Sequence, residues 1–250
     1  MEPLAMNAAP NSIPPSSHEL FPEILYEDPN LCVLNKPAGL LSQEDISKEV
    51  NLVELLRGHF GRHYVGLVHR LDRNTSGLMV VAKRSKAADR LSQGLREGSL
   101  TRQYRAWVLD PDSRLPEALT LKHYLIKNHC TNEVEAVLQP QADAKSAGLT
   151  LTRVGAGLFH RLRVALINVV LETGRSHQIR VQLQAAGFPL LGDRKYGPNA
   201  PSPQRQESEA FGRPALHSSF LEFQHPISKE KLTFTSLAPP DWKKIQSLPK

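Results

Sequence analysis

His69-Arg70-Leu71-Asp72-Arg73-Asn74-Thr75-Ser76-Gly77 is a polar stretch set between two apolar ones, Gly66-Leu67-Val68 before it and Leu78 to Ala82 after it. Short apolar runs flanking a cluster of Asn, Thr, Ser and Gly read as two buried strands joined by a loop. A loop mounted on buried strands can hold a side chain rigidly at the floor of a cleft, and its carboxylate, Asp72, lies between Arg70 and Arg73. Such an aspartate also fits a turn that bonds its own backbone, so spacing alone leaves both readings open.

On the N-terminal side, Glu23 to Leu34 reads as a first strand and Asn35-Lys36-Pro37-Ala38-Gly39 as a turn cluster. Val50 to Phe60 has helical spacing, with Val53, Leu56 and Phe60 on one side. On the C-terminal side, Ser85 to Leu95 is helical, and Gln103 to Val108 alternates as a strand that puts Tyr104 on one face with Arg102 and Ala106. Further strands are expected at 133–138, 147–153, 162–172, 215–223 and 231–236. A helix from Ser176 to Ala186, capped by Ser176 and closed by Gly187, would bury Ile179, Leu183 and Ala186 and gather His177, Arg180 and Gln184 on a second face. Strands outnumber helices and several are joined by short turns, so the predicted class is α+β with a largely antiparallel sheet.

The chain has 250 residues, 40% of them hydrophobic, which is enough for a core and excludes disorder of the whole. No stretch approaches the roughly 18 apolar residues of a membrane helix. The first 22 residues hold five prolines and no Lys or Arg, which fits neither a secretory signal nor a transit peptide; a disordered tail is expected there. Residues 198–214, with four prolines, read as a surface loop, and one folded domain is expected over 23–245. Two cysteines, with Cys32 inside an apolar run, point to a reducing, cytoplasmic setting.

The net charge of +6 conceals an asymmetry: residues 1–56 carry 2 basic and 9 acidic side chains, whereas residues 57–105 carry 11 and 3. Basic groups interspersed with apolar ones project from an ordered surface, as a polyanion-binding face requires. His59 and His63 have helical spacing, yet no carboxylate or cysteine completes a metal set, and no Gly-rich phosphate loop joins a strand to a helix. Neither a metal nor a nucleotide cofactor is expected.

Five blocks in order carry a resemblance. His69 to Leu78, Arg102-Gln103-Tyr104-Arg105-Ala106, Gly174-Arg175-Ser176-His177-Gln178-Ile179-Arg180-Val181 and Gly187 to Gly197, preceded by Leu34 to Leu40, resemble the RluA-type RNA pseudouridine synthases. Ala215-Leu216-His217 and Phe223-Gln224-His225-Pro226 are similar to further family blocks, so the likeness covers about residues 23–241. It implies a mixed sheet with flanking helices and a central cleft in which Asp72 is the catalytic aspartate, Tyr104 packs on the target base and Arg180 pairs with the aspartate. Arg70 resembles the arginine that helps replace the flipped base in its stack, and Arg73, Arg102, Arg175 and His177 complete the expected RNA-binding set.

The sequence departs from the family pattern at Gln182, where a histidine is common, and at Arg73-Asn74, where Lys-Asp is frequent. The stretch before the first block is too short and acidic for the accessory RNA-binding domain of many relatives, so a monomer that finds its tRNA or rRNA stem-loop with the catalytic domain alone is expected. Two other readings stand beside this one. One is a non-catalytic RNA-binding protein on the same scaffold; the other is a glycoside or nucleoside hydrolase pairing Asp72 with Asp193, although Asp193 also suits a role in ordering its Gly-rich turn.

Overall fold

The computed structural model describes residues 20–198 and 202–249. Among these, twelve strands form one mixed sheet. In chain order they are β1 (Glu23–Glu27), β2 (Leu31–Lys36), β3 (Gly66–Leu67), β4 (Ser76–Ala82), β5 (Thr101–Leu109), β6 (Ala118–Asn128), β7 (Glu133–Val137), β8 (Lys145–Phe159), β9 (Leu162–Leu171), β10 (Leu216–Gln224), β11 (Lys231–Thr235) and β12 (Gln246–Leu248). The helices are α1 (Leu52–Phe60), α2 (Ser85–Glu97), α3 (Gln178–Ala185) and α4 (Pro203–Glu209). The sheet runs β1-β2-β4-β10-β5-β9-β8-β6-β7, with β3 on β4, β11 on β10 and β12 on β8. Every strand pairing is antiparallel except β4 with β10, so the class is α+β with a largely antiparallel sheet, as the pattern predicts.

Burial on both faces explains the apolar runs that betray the central strands. In β2, Leu31 and Val33 pack with Ala87 and Leu91 of α2, whereas Cys32 and Leu34 pack with Leu52 and Leu56 of α1 and Ile179 and Leu183 of α3. Period-two alternation thus feeds two cores, one per face. Cys32 is fully buried, which pushes its thiol up to about 12 and leaves it inert.

Four local readings need correction. The first strand is a hairpin, because Asp28 Oδ1 accepts from the amides of Asn30 and Leu31, both at 2.7 Å, and turns the chain between β1 and β2. The surface loop at 198–214 contains α4: Ser202 accepts from the Arg205 amide, Pro203 stands at the first turn, and Arg205 pairs with Glu209. Strand β6 lies where no strand was predicted. The expected tail over 1–22 lies outside the described residues up to residue 19, and beyond it Leu20 packs against the central core.

The fourth correction concerns α3. Its cap is His177, in the left-handed region at φ 53°, and it buries Gln178 and Gln182 along with Ile179, Val181 and Leu183. Two glutamines suit a buried face because strands receive them: Gln178 Nε2 donates to Gly148 O at 2.9 Å, and Gln182 Nε2 to Ala147 O at 3.1 Å. An apolar-only reading of the helix faces misses such residues.

The parallel pairing of β4 and β10 spans only His217 with Ser76 and Ser218 with Gly77. Gly77 has φ +117°, and a Cβ there would lie 2.3 Å from Ser218 O, so no other residue permits this contact. Beyond it the strands take different partners, β3 for β4 and β11 for β10. The polar loop of residues 68–75 leaves β3 and returns into β4 at this junction.

Candidate active site

The loop bearing Asp72 is fastened from below. Lys36, fully buried at the end of β2, donates from Nζ to Pro37 O, Leu40 O and Arg73 O at 2.8, 2.7 and 3.1 Å. Ser42 Oγ donates to Leu71 O at 2.6 Å and accepts from the Leu71 amide at 3.2 Å, while the Gly39 amide donates to Arg73 O at 2.9 Å. The turn cluster 35–39 and its continuation therefore clamp the backbone on both sides of Asp72. Burial lowers the Lys36 pKa to about 7, against the upward pull of Asp72.

Asp72 meets Arg180 across the cleft: Arg180 Nη1 donates to Asp72 Oδ2 at 3.1 Å. The rest of the guanidinium belongs to Asp193, with Nε to Oδ2 at 2.7 Å and Nη2 to Oδ1 at 2.9 Å. Asp193 Oδ1 also accepts from the amides of Lys195 and Tyr196, which orders the turn after α3. That turn begins at Gly192, φ +78°, where a Cβ would meet Arg213 O at 2.0 Å. Beneath the guanidinium lies the Tyr196 ring, 4.9 Å away. Burial pulls the Arg180 pKa down, but the bonds and charges of Asp193 and Asp72 outweigh it and raise it, so the arginine is permanently charged.

Asp72, Arg180 and Tyr104 open onto one cavity of about 1,090 Å³. Tyr104 projects from β5 on the same face as Arg102 and Ala106, as strand alternation predicts, and burial raises its phenol pKa so that the hydroxyl stays neutral. All eight residues singled out in the sequence line this cavity. Arg70 and Arg175 are exposed at its rim, and Arg102 lies buried against Gly174. Arg73 is exposed too, but its fork is taken by Glu49 and its Nε by Gly39 O. His177 Nδ1 stands 2.8 Å from Tyr196 Oη.

Two residues of this site, Lys36 and Tyr196, carry no role in the sequence reading, and a third, Asp193, has a further one in the structure. Lys36 and Tyr196 sit inside recognised blocks, and their partners are backbone atoms and residues far along the chain. Asp193 was assigned to its turn, which it orders; its grip on Arg180, 13 positions away, has no local signature. Because both its oxygens are occupied and Arg180 stands between it and Asp72, the two carboxylates are not a free acid and base pair, which removes the hydrolase reading.

A family model described as RNA pseudouridylate synthase matches residues 30–185. Ribosomal large subunit pseudouridine synthase D of Vibrio cholerae is 33% identical over 229 residues, covering 87% of this chain and 68% of that protein. tRNA pseudouridine synthase C of Salmonella typhi is 31% identical over 230 residues, covering 89% and 88%. In fold, the chain is similar to human RNA pseudouridylate synthase domain containing 1, with TM-score 0.73 and 24% identity over 94% of this chain and 92% of that one.

Proposed function

The chain belongs to the RNA pseudouridylate synthases, and from that membership and the cleft we infer that Asp72 is the catalytic carboxylate of uridine isomerisation, with Tyr104 against the base and Arg180 aiming the carboxylate. The reaction breaks the bond between uracil N1 and ribose C1′, turns the base and joins C5 to C1′. C5 gives up its proton and N1 gains one, so there is neither redox change nor net group transfer.

The observation that carries this reading is the Arg180 to Asp72 contact at 3.1 Å beside Tyr104, in a cavity slightly larger than the roughly 300–1,000 Å³ range of small-ligand sites. Attack on the sugar, attack on the base and proton abstraction all need an ionised, oriented carboxylate with a free oxygen. Asp72 has one: Oδ2 is tied to Arg180, and Oδ1 accepts no hydrogen bond among the described residues. A planar guanidinium both offsets the loss of water around the carboxylate and fixes its direction.

A uridine within structured RNA must be extruded, at a cost of a few kcal/mol, and stacking on Tyr104 returns about 1–3 kcal/mol. Arg70 and Arg175 at the rim are placed to hold phosphates, and a phosphate reaches the Arg73 fork by displacing Glu49. The names of the relatives support tRNA or rRNA as the substrate, and we propose stem-loop uridines, modified by a monomer. Two free cysteines support a cytoplasmic setting. Among the described residues no helix is long and apolar enough to cross a membrane.

The test is tritium release from RNA labelled at uracil C5, with pseudouridine mapped position by position in tRNA and rRNA from cells with and without the protein. Release that survives Asp72→Asn would remove Asp72 from its role. Tight RNA binding without any release would favour a binding protein on the same scaffold.

A further inference from the structure

His177 enters the cleft through an unusual local geometry. It caps α3 in the left-handed region, φ 53° and ψ 17°, which few non-glycine residues adopt without a tertiary reason. Its Nδ1 lies 2.8 Å from Tyr196 Oη, and the same oxygen accepts from the Val134 amide at 2.9 Å. A backbone amide can only donate. The phenol proton is left to donate, and Nδ1 is the one acceptor bonded to that oxygen among the described residues, so donation to Nδ1 uses both capacities of the hydroxyl.

With the phenol donating to Nδ1, the imidazole takes one form. Nδ1 carries a lone pair, the ring is neutral, and the proton sits on Nε2. Burial favours the same neutral form by lowering the His177 pKa, although Asp72 pulls the other way. Nε2 has no hydrogen-bond partner among the described residues, and the ring lines the cavity that holds Asp72 and Arg180. A neutral donor is useful there: it can bind a substrate oxygen without adding a second cation to compete with Arg180 for Asp72.

We propose that Tyr196 is a positioning residue that locks His177 as the Nε2–H tautomer, and that this N–H binds an oxygen of the bound nucleotide, either a phosphate oxygen or a uracil carbonyl. The proposal rests on the reading of the cleft as the uridine site. It also gives Tyr196 two tasks at once, since the ring that supports Arg180 carries the hydroxyl that orients His177.

Nitrogen-15 spectra of the histidine rings in the full chain, with His177 assigned by its absence in His177→Gln, read the tautomer directly. The expected result is Nε2–H in the unmodified protein and a mixture of tautomers in Tyr196→Phe. A protonated Nδ1, or a ring spectrum unmoved by Tyr196→Phe, overturns the proposal. This arm needs no turnover, so it stands apart from any failure of the isomerase reading, which would show as no tritium release by the unmodified protein.

Kinetics on labelled tRNA and rRNA supply the second arm. His177→Ala lowers turnover or raises KM about 3–10-fold, the worth of one neutral hydrogen bond, and His177→Gln, whose amide N–H can replace Nε2–H, recovers most of it. Glutamine no better than alanine, with both variants folded by circular dichroism, overturns the substrate contact. Transcripts with phosphorothioates 5′ to uridine, or with 2-thio- or 4-thiouridine, locate the acceptor: the substitution that abolishes the advantage of His177 over alanine marks the oxygen. An advantage that persists in all of them also overturns the contact.

Discussion

Asp72, which lines the cleft, and Asp193, buried behind it, grip the same guanidinium. Asp193 has a side chain 1% exposed and accepts four hydrogen bonds, two from Arg180 and two from backbone amides. Asp72 has a side chain 26% exposed and accepts one from the described residues. The buried carboxylate has both oxygens tied to Arg180 and does not reach the cavity; what it does is hold Arg180 still. The under-satisfied carboxylate faces the cavity with an oxygen to spare. Within one ion-pair cluster, then, the reactive member is the one that the protein leaves incomplete.

The largest expected effect follows from that difference. Asp72→Asn keeps shape and RNA affinity but removes the charge, and should lower turnover on the order of 10³-fold or more with little change in melting temperature. Asp193→Asn should do the reverse in emphasis. It leaves Arg180 half-paired and buried, costs about 3–5 kcal/mol of stability by urea unfolding, and slows turnover because the arginine loses its anchor. Equal stability losses in the two variants would break the comparison.

Arg180→Lys comes next, since an ammonium keeps the charge but cannot fork to Asp193 and still reach Asp72. A fall of about tenfold or more in turnover is expected, read by tritium release. Arg180→Met would separate charge from shape.

The smallest effect concerns the clamp under Asp72. Unfolded lysine keeps its proton to about pH 10.4, whereas folded Lys36 gives it up near 7. Between those limits the unfolded chain binds more protons, so stability rises with pH; below them both states are protonated and the cost of the buried charge is constant. Lys36→Met should flatten that rise by up to about 1.4 kcal/mol per pH unit in urea titrations between pH 7 and 10. It should also loosen the loop that presents Asp72, lowering turnover modestly at constant RNA affinity.

The same contrast explains what the sequence discloses. Asp72, Tyr104 and Arg180 lie in short blocks whose turn, strand and helix patterns are local, and all three reach the cavity as expected. Strand β6 hides because its burial does not alternate cleanly, and α4 hides because its stability rests on a cap and an ion pair rather than an apolar stripe. Gln178 and Gln182 read as polar yet are buried, since their partners are carbonyls of β8 and of the β6 strand beside it. Asp193 shows the general limit: a residue that works through a distant partner leaves no periodicity to read.

The placement of β10 sets the order in which this protein can be built. It lies between β4 and β5, and no part of the sheet joins those two strands until it arrives. On an emerging polypeptide, β4 and β5 must wait with open edges through more than a hundred further residues, an exposure that favours slow folding and capture by chaperones. The loop of Asp72, which runs into β4, and the β5 strand of Tyr104 come into fixed relation only when β10 locks between them. A nascent chain stopped short of Leu216 is therefore expected to have no assembled site, and so no opportunity to modify RNA before synthesis nears its end.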